Sequence, residues 1–208
     1  MNQVTKTIQG VIDMAWPMVI ISIVIVVSLR ITYLIKNHQK LVLYKELLML
    51  SFIIYILCLF QIVTFQDAVT WSSNNFIPFK EMFRYQIGSR LFIKNVLGNI
   101  ILFLPFGFFT AYYLDIKKPY LIIILTLVAS TSIEFVQMSI GRVFDIDDII
   151  LNLVGGIVGF LIYVGLDAIK NKIKLFKNDT ILDILIIIIL VLVMLYSFNI
   201  NVFDVIGG

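Results

Sequence analysis

Long apolar segments dominate the sequence, and they constrain its fold more than any other feature. We number these segments one to six in chain order: residues 14–35, 47–66, 95–114, 119–140, 149–166 and 184–203. A helix that crosses the hydrocarbon core of a bilayer needs about 20 predominantly apolar residues. A helix also bonds its own backbone polar groups, as the bilayer core requires. The sequence therefore predicts an all-α, polytopic membrane bundle of about six transmembrane helices.

The composition supports this fold class. Apolar residues make up 61% of the chain and charged residues 14%, whereas soluble domains have about 45–50% and about 25%. We expect a single membrane domain over residues 1–208, because no low-complexity linker divides the chain. The N-terminal stretch has neither a strongly basic region nor a small-residue cleavage site, so the first segment is expected to remain as a helix.

The distribution of positive charge predicts the orientation in the membrane. Ten of the 16 lysines and arginines lie in or beside the connections that follow segments one, three and five. Cytoplasmic loops carry the excess of these residues, so we expect both termini outside, together with the loop at 67–90 and the turn around Arg142. The net charge of +3 reflects this bias. No interleaved basic and aromatic pattern is present, and no nucleic-acid partner is predicted.

Polar residues and glycines concentrate in segments three to five, whereas the other segments are nearly pure Ile, Leu and Val. Polar groups are costly in hydrocarbon and usually face a bundle interior or a wet cavity. Segments three to five therefore form the predicted three-helix polar core. Its residues are Asn95, Asn99, Pro105, Gly107, Glu134, Gln137, Asn152, Gly155, Gly156 and Gly159.

Helical spacing arranges the polar residues of segments four and five into two faces. Glu134 and Gln137 share one face near the outer end of segment four, together with Ser130. Gly141 lies in the turn that follows. Segment five then presents one stripe, acidic at its start and rich in glycine further on: Asp145, Asp148, Asn152, Gly155 and Gly159.

Asp147 points away from that stripe, and we expect it to lie outside any shared site. The glycine part of the stripe predicts close approach of a second helix. Segment three offers a matching stripe of Asn95, Asn99, Leu102 and Phe106. Pro105 predicts a kink in segment three, and a kinked helix against the glycine seam would leave a small polar cavity open to the outside.

The acidic residues have structural explanations as well as functional ones. Asp145 can cap the N-terminus of segment five, with Asp148 three residues on, and acids at that position contribute roughly 0.3–1 kcal/mol. Capping does not account for Glu134, because an unpaired carboxylate within a membrane helix costs several kcal/mol. An ion pair of Arg142 with Glu134 or Asp145 would hold the turn together without any chemistry.

The loop at 67–90 combines aromatic residues with cations. Two interpretations predict the same residues: a short amphipathic helix on the membrane surface, or an interfacial belt of aromatics and anchoring cations. The residues are Trp71, Phe76, Phe79, Phe83, Tyr85, Lys80, Arg84 and Arg90.

With these residues assembled, the sequence resembles the VanZ-like family of bacterial membrane proteins, whose founding member is associated with low-level teicoplanin resistance. Four motifs in a specific order carry the resemblance: "NFIPFK" at 75–80, "NVLGNIILFLPFGFF" at 95–109, "STSIEFVQ" at 130–137 and "GRVFDIDDIILNLVGGIVG" at 141–159. They span a core of about 75–166. The resemblance implies a bacterial cell-membrane location and carries over these positions: Asn99, Pro105, Gly107, Glu134, Gln137, Gly141, Arg142, Asp145, Asp148, Asn152, Gly155 and Gly159.

The first functional hypothesis is an outward-facing site that binds or modifies a membrane lipid or a lipid-anchored envelope precursor. If the site is catalytic, Glu134, Asp145 and Asp148 would act as its acids, bases or cation ligands. A site of three carboxylates, with Asp145 and Asp148 holding the ion against a phosphate, suits Mg²⁺ or Ca²⁺. Zinc of the His-rich kind does not fit, because the chain has one histidine. The substrate-binding candidates are Arg142, Gln137, Asn99, Asn152 and Lys80.

Two other hypotheses stay open. The protein could sequester or exclude a lipoglycopeptide such as teicoplanin, or its lipid target, without catalysis, and the loop at 67–90 would then matter more than Glu134. The chain could also be a small proton-coupled transporter with Glu134 as the proton relay. The absence of inverted repeats or paired broken helices in the sequence counts against transport.

Overall fold

The computed structural model describes residues 3–65, 74–173 and 177–197, with side chains for 16–64, 74–173 and 177–191. Trp71, the end of segment six and part of the basic run at 170–177 lie outside these residues. The described chain is built of long helices and contains one isolated β-bridge. The helices are α1 (Gln3–Lys36), α2 (Leu43–Phe65), α3 (Arg90–Tyr113), α4 (Pro119–Ser139), α5 (Ile146–Lys172) and α6 (Asp179–Ser197).

The predicted all-α membrane fold is confirmed. Within the described residues, five helices are long and apolar enough to cross a membrane, and these are α1 to α5. Their outer faces carry large apolar side chains, and Ile21, Leu29 and Ile101 are each more than half exposed. Such surfaces are compatible with lipid rather than with water. The protein is therefore a multi-pass membrane protein.

Glycines bring α3 and α5 into backbone contact, as the small-residue spacing predicts. A Cβ on Gly155 would overlap the carbonyl of Ile100, and a Cβ on Gly159 would overlap the carbonyl of Leu104. On the other helix, a Cβ on Gly107 would overlap the carbonyl of Gly156. This contact fixes α3 and α5 as the centre of the bundle.

The face of α3 in this seam differs from the predicted stripe of Asn95, Asn99, Leu102 and Phe106. The seam uses Ile100, Leu104 and Gly107, and of the predicted stripe Asn99 contacts α5, through Asp148. Asn95 lies in a π-helical turn, Ile93–Leu97, that interrupts the regular 3.6-residue spacing. The turn affects the placement of Asn95 alone, because the other three residues of the predicted stripe lie in the regular helix Gly98–Tyr113.

Helix α3 continues through Pro105 in its regular part, Gly98–Tyr113. Proline lacks the N–H that would bond a carbonyl one turn earlier. In this region the hydroxyl of Tyr55 in α2 donates to the carbonyl of Leu102 at 3.0 Å. The proline removes the donor to the carbonyl of Ile101, so the bond to Leu102 joins α2 to α3 one residue further along the helix.

Arg30, which interrupts segment one, forms a two-point ion pair with Glu46 of α2. Its Nε and Nη2 lie 2.8 and 3.0 Å from the two carboxylate oxygens. Planar pairing of this kind is the strong form of the arginine–carboxylate interaction. It joins α1 and α2 near the end of the bundle that the charge distribution predicts to be cytoplasmic.

Helix α6 is joined to α2 by Asp183, whose carboxylate caps the N-terminus of α2. Asp183 accepts from the N–H of Leu43 at 3.1 Å and from that of Tyr44 at 2.8 Å. The hydroxyl of Tyr44 in turn donates to Asp179 at 2.9 Å. Asp183 thus satisfies two of the unpaired N–H groups at the start of α2.

Replacing Asp183 by alanine is expected to lower the free energy of unfolding by about 1 kcal/mol, the usual effect of removing an N-cap. The expected readout is a lower melting temperature of the detergent-solubilised protein. Asp167→Ala is the matched control, because Asp167 is a partly exposed carboxylate whose ion pair with Lys117 spans 3.5 Å. Equal melting temperatures for the two variants would contradict the capping role.

Candidate functional site: the polar rim of α3, α4 and α5

The turn between α4 and α5 is built by Gly141 and Asp145. Gly141 has φ +85°, a left-handed conformation that favours glycine, and the next residue, Arg142, donates its N–H to the carbonyl of Gln137 at 2.9 Å. Asp145 is the N-cap of α5, as the sequence predicts, and its side chain accepts from the N–H of Asp147 at 2.9 Å. This turn defines one end of the polar core, and we call the cluster around it the polar rim.

Glu134 is 1% exposed, and both of its oxygens accept hydrogen bonds. Oε2 accepts from the N–H of Asp145 at 2.9 Å. With the Gln137 amide oriented so that both of its ends are paired, its nitrogen donates to Oε1 at 2.9 Å. Glu134 therefore ties the end of α4 to the start of α5, a role that sequence reasoning did not find.

Arg142 reaches the acidic cluster through Gln137. Its Nη1 donates to the side-chain oxygen of Gln137 and to the carbonyl of Val63 in α2, the latter at 3.3 Å. Among the described residues, the direct ion pair with Glu134 or Asp145 is not formed. Gln137 thus connects the cation to the carboxylate of Glu134 and fixes Arg142 against α2.

Asn99 and Asn152 link the three core helices. Asn99 of α3 donates from its side-chain nitrogen to Oδ1 of Asp148, and also to the carbonyl of Asn95 at 3.0 Å. One turn further into α5, Asn152 donates to the hydroxyl of Ser130 in α4 at 2.9 Å. Asn99 therefore contacts the rim directly through Asp148, and Asn152 lies one helical turn from Asp148 in the same core.

Asp147 points away from the stripe, as expected, but it has a structural role that the sequence did not indicate. It is 1% exposed, and its carboxylate accepts the backbone N–H groups of Phe79, Glu81 and Met82, the last two at 2.8 and 2.9 Å. Three donors to one carboxylate anchor the loop to α5. The available signal was the short motif at 75–80, which the resemblance had already singled out.

Asn75 provides a second anchor for this loop. It forms a parallel bridge beside Asp145, donating its N–H to the carbonyl of Phe144 at 2.8 Å and accepting from the N–H of Ile146 at 3.1 Å. Its side chain also donates to Oδ1 of Asp145 at 2.8 Å. Sequence reasoning did not place Asn75 in the site.

The described part of the loop, residues 74–89, contains one three-residue 3₁₀ helix, Met82–Arg84. The interpretation as an amphipathic surface helix is therefore wrong for this part, because the anchoring contacts hold the backbone in turns. Phe76 and Phe83 are 64% and 81% exposed. Lys80, predicted to bind substrate, lies exposed on the same loop rather than within the rim.

Two carboxylate oxygens of the rim have no hydrogen-bond donor among the described residues. Asp145 uses Oδ1 for both of its donors, Asp147 N–H and Asn75, and leaves Oδ2. Asp148 uses Oδ1 for Asn99 and likewise leaves Oδ2. Burial raises the pKa of Asp145, although its two hydrogen bonds favour the charged form. Asp145 and Asp148 are therefore each held by protein donors at one oxygen and open at the other.

The expected metal site of three carboxylates is not formed. Within the part of the chain that the structure describes, no three His, Cys, Asp or Glu side chains are placed to hold a metal ion. The physical reason is that the oxygens of Glu134 accept from Asp145 and Gln137 instead. Asp145 and Asp148 remain as a pair, and Mg²⁺ commonly uses one or two carboxylates together with substrate phosphates.

The helices and the rim define a multi-pass membrane protein with a buried, acid-rich cluster at one end of a three-helix core. A family model described as VanZ/LLP1 matches residues 52–170, from within α2 to near the end of α5. The chain belongs to the VanZ/LLP1 family, which confirms the resemblance and extends it beyond the core of about 75–166. Comparisons with curated proteins and with solved structures found no match.

Proposed function

We propose that the polar rim faces outward from a bacterial cell membrane and binds the head group of a lipid-anchored cell-envelope molecule. Binding or modification of that molecule would lower susceptibility to lipoglycopeptides such as teicoplanin. Family membership supports the proposal at the level of a VanZ-like membrane protein. The observation that carries it further is the pair of open oxygens on Asp145 and Asp148.

The hydrogen bonds around these two carboxylates support a preorganised ligand site. In each residue a protein donor holds one oxygen and leaves the other for a ligand. Sites of this kind lose little conformational freedom on binding, which favours affinity. The open oxygens would accept ammonium, hydroxyl or amide groups, or share a divalent cation with a phosphate.

The other rim residues would position these groups. Gln137, which itself bonds to Glu134, holds Arg142, whose guanidinium suits a phosphate. Asn99 holds Asp148, and Asn152 lies one turn below it. If the protein turns over its ligand, Asp148 is the preferred acid or base, because Glu134 is occupied by the turn.

The loop supports a position at the membrane interface. Phe76 and Phe83 are exposed beside Lys80 and Arg84, and aromatics with cations are typical of the head-group region. The anchors at Asp147 and Asn75 place this loop against the rim. A lipid head group at the same depth would therefore meet both the loop and the open carboxylates.

Glu134→Gln, Asp148→Asn and Arg142→Ala test the rim in a teicoplanin-susceptible host that expresses the protein. We expect the wild type to raise the inhibitory concentration of teicoplanin, and Asp148→Asn and Arg142→Ala to remove most of that increase. Glu134→Gln should act more weakly, because glutamine can still accept from Asp145. Asp167→Asn, in the same helix but remote from the rim, should behave as wild type.

Membrane levels of all variants must match for this comparison. Full retention of the phenotype by the three rim variants would contradict the proposal. The exposed aromatic loop favours one second candidate, non-enzymatic sequestration of the drug or its target. A chimera that exchanges residues 67–90 with those of a family member of different drug preference separates the two, because only sequestration requires that loop to set the preference.

A further inference from the structure

A second polar level lies inside the bundle, below the rim and between α4 and α5. Thr126 is 0% exposed and Asn152 is 3% exposed. Asn152 donates to Ser130, but its Oδ1 has no hydrogen-bond partner among the described residues, and neither has the hydroxyl of Thr126. Nearly all buried polar groups in native proteins are paired, with protein atoms or with ordered water. These two atoms therefore have unused hydrogen-bonding capacity for a bound polar molecule.

The two atoms belong to neighbouring steps of one polar face. Thr126, Ser130 and Glu134 are four residues apart along α4, and Asp148, Asn152 and Gly156 are four apart along α5. Ser130 bonds Asn152 across the interface. Thr126 faces Gly156, where a Cβ would lie 2.5 Å from the threonine hydroxyl oxygen. The lack of a side chain at Gly156 is what leaves the hydroxyl room.

The polar face ends at an apolar floor. One turn below Thr126 in α4 lies Ile122, which is fully buried, and one turn below Gly156 in α5 lies Phe160, also buried. Both belong to a buried cluster with Ala111. The polar residues therefore extend from the rim into the bundle for two helical turns and are followed there by buried apolar residues.

The donors and acceptors at this level select the class of ligand. Oδ1 of Asn152 needs a donor, while the Thr126 hydroxyl can both donate and accept. Thr126, Ser130 and Asn152 are neutral, so the level has no charge to match an ion. A water molecule supplies donors and acceptors together, and buried waters typically serve such groups.

We propose that Thr126, Ser130 and Asn152 form an internal water site directly below Asp148 of the rim. The site is independent of the ligand proposed for the rim. It would offer a hydrogen-bond donor to Asp148, one turn above Asn152, whose Oδ2 has no donor among the described residues. The apolar floor at Ile122 and Phe160 makes this a closed site and not a path across the bilayer.

A structure of the protein in lipid nanodiscs, at a resolution that shows ordered water, tests this site directly. We expect water density within hydrogen-bonding distance of both Asn152 Oδ1 and Thr126 Oγ1, and its loss from Thr126→Val. Valine keeps the shape of threonine and removes the hydroxyl. A direct hydrogen bond between the two side chains, or no density at the wild-type site, would overturn the proposal.

Thermal melting of the same variant gives an independent test. If the site is dry, Thr126→Val removes an unpaired buried hydroxyl and should raise the melting temperature. If the site holds water, the variant removes a partner of that water and should lower it. Thr32→Val controls for the substitution itself, because the exposed Thr32 hydroxyl donates to the carbonyl of Ser28 in its own helix. A melting temperature above that of wild type in Thr126→Val alone would contradict the water site.

Discussion

Replacing Gly159 by valine is expected to abolish the folded protein, and alanine at the same position should already destabilise it strongly. A Cβ at Gly159 would overlap the carbonyl of Leu104 and press on the backbone N of Phe108. Overpacking of a core typically costs about 1–3 kcal/mol when side chains can shift. Here the obstacle is the backbone of α3, so the cost should exceed that range.

The measurement is the monodisperse fraction and the melting temperature of the protein in detergent. Gly165→Ala is the matched control in the same helix, because a Cβ there meets nothing within 4 Å. The control should be as stable as wild type or slightly more stable, since alanine favours helix. Similar melting temperatures for Gly159→Ala and Gly165→Ala would show that α3 and α5 are not in backbone contact.

The second large effect is expected for Asp147→Ala, which should release the loop from the rim. Three backbone N–H groups, those of Phe79, Glu81 and Met82, lose their carboxylate acceptor. Each buried group that loses its hydrogen bond costs about 1–3 kcal/mol. A loop near the surface lowers this cost by opening, so that its N–H groups bond to water. The helices should remain folded while the loop opens.

Hydrogen exchange followed by mass spectrometry measures this opening. A local loss of about 1.4 kcal/mol speeds exchange about tenfold, and we expect at least that at residues 79–82. Asp147→Asn should have a smaller effect, because the amide keeps one acceptor oxygen. Asp167→Ala should leave exchange in the loop unchanged. If Asp147→Ala also left it unchanged, the anchoring role would be wrong.

Local patterns explain which parts of the rim were predictable. The N-cap at Asp145 and the turn at Gly141 depend on neighbouring residues, and the structure has both. Gly155 and Gly159 are one helical turn apart, and this spacing likewise predicted close approach of a second helix. In each case the interaction is encoded within a few residues, where propensity and periodicity are informative.

Long-range contacts explain what the sequence did not predict. Asp147 binds residues that lie 65 to 68 positions away in the chain, and no periodicity connects them. The π-turn at Ile93–Leu97 has no marker in the sequence, and it interrupts the helical spacing between Asn95 and the rest of the predicted stripe on α3. Fold class follows from segment length, whereas these contacts depend on how the loop and helices meet.

Glu134 was expected to have a chemical role, and the structure shows a structural one. An unpaired carboxylate at this depth would be costly, which suggested a chemical role for it. The backbone N–H of Asp145 and the amide of Gln137 pair it instead. The open oxygens lie on Asp145 and Asp148, so the expected centre of ligand binding moves to the start of α5.

The most direct test of the account is mass spectrometry of the molecules that copurify with the protein from bacterial membranes. We compare wild type with Asp145→Asn, Asp148→Asn and the remote control Asp167→Asn. Asparagine at 145 keeps the cap and removes the charge. We expect wild type and Asp167→Asn to retain a lipid-anchored envelope molecule and the two rim variants to lose most of it. The same molecules in all four preparations, or bulk phospholipid alone in the wild type, would contradict it.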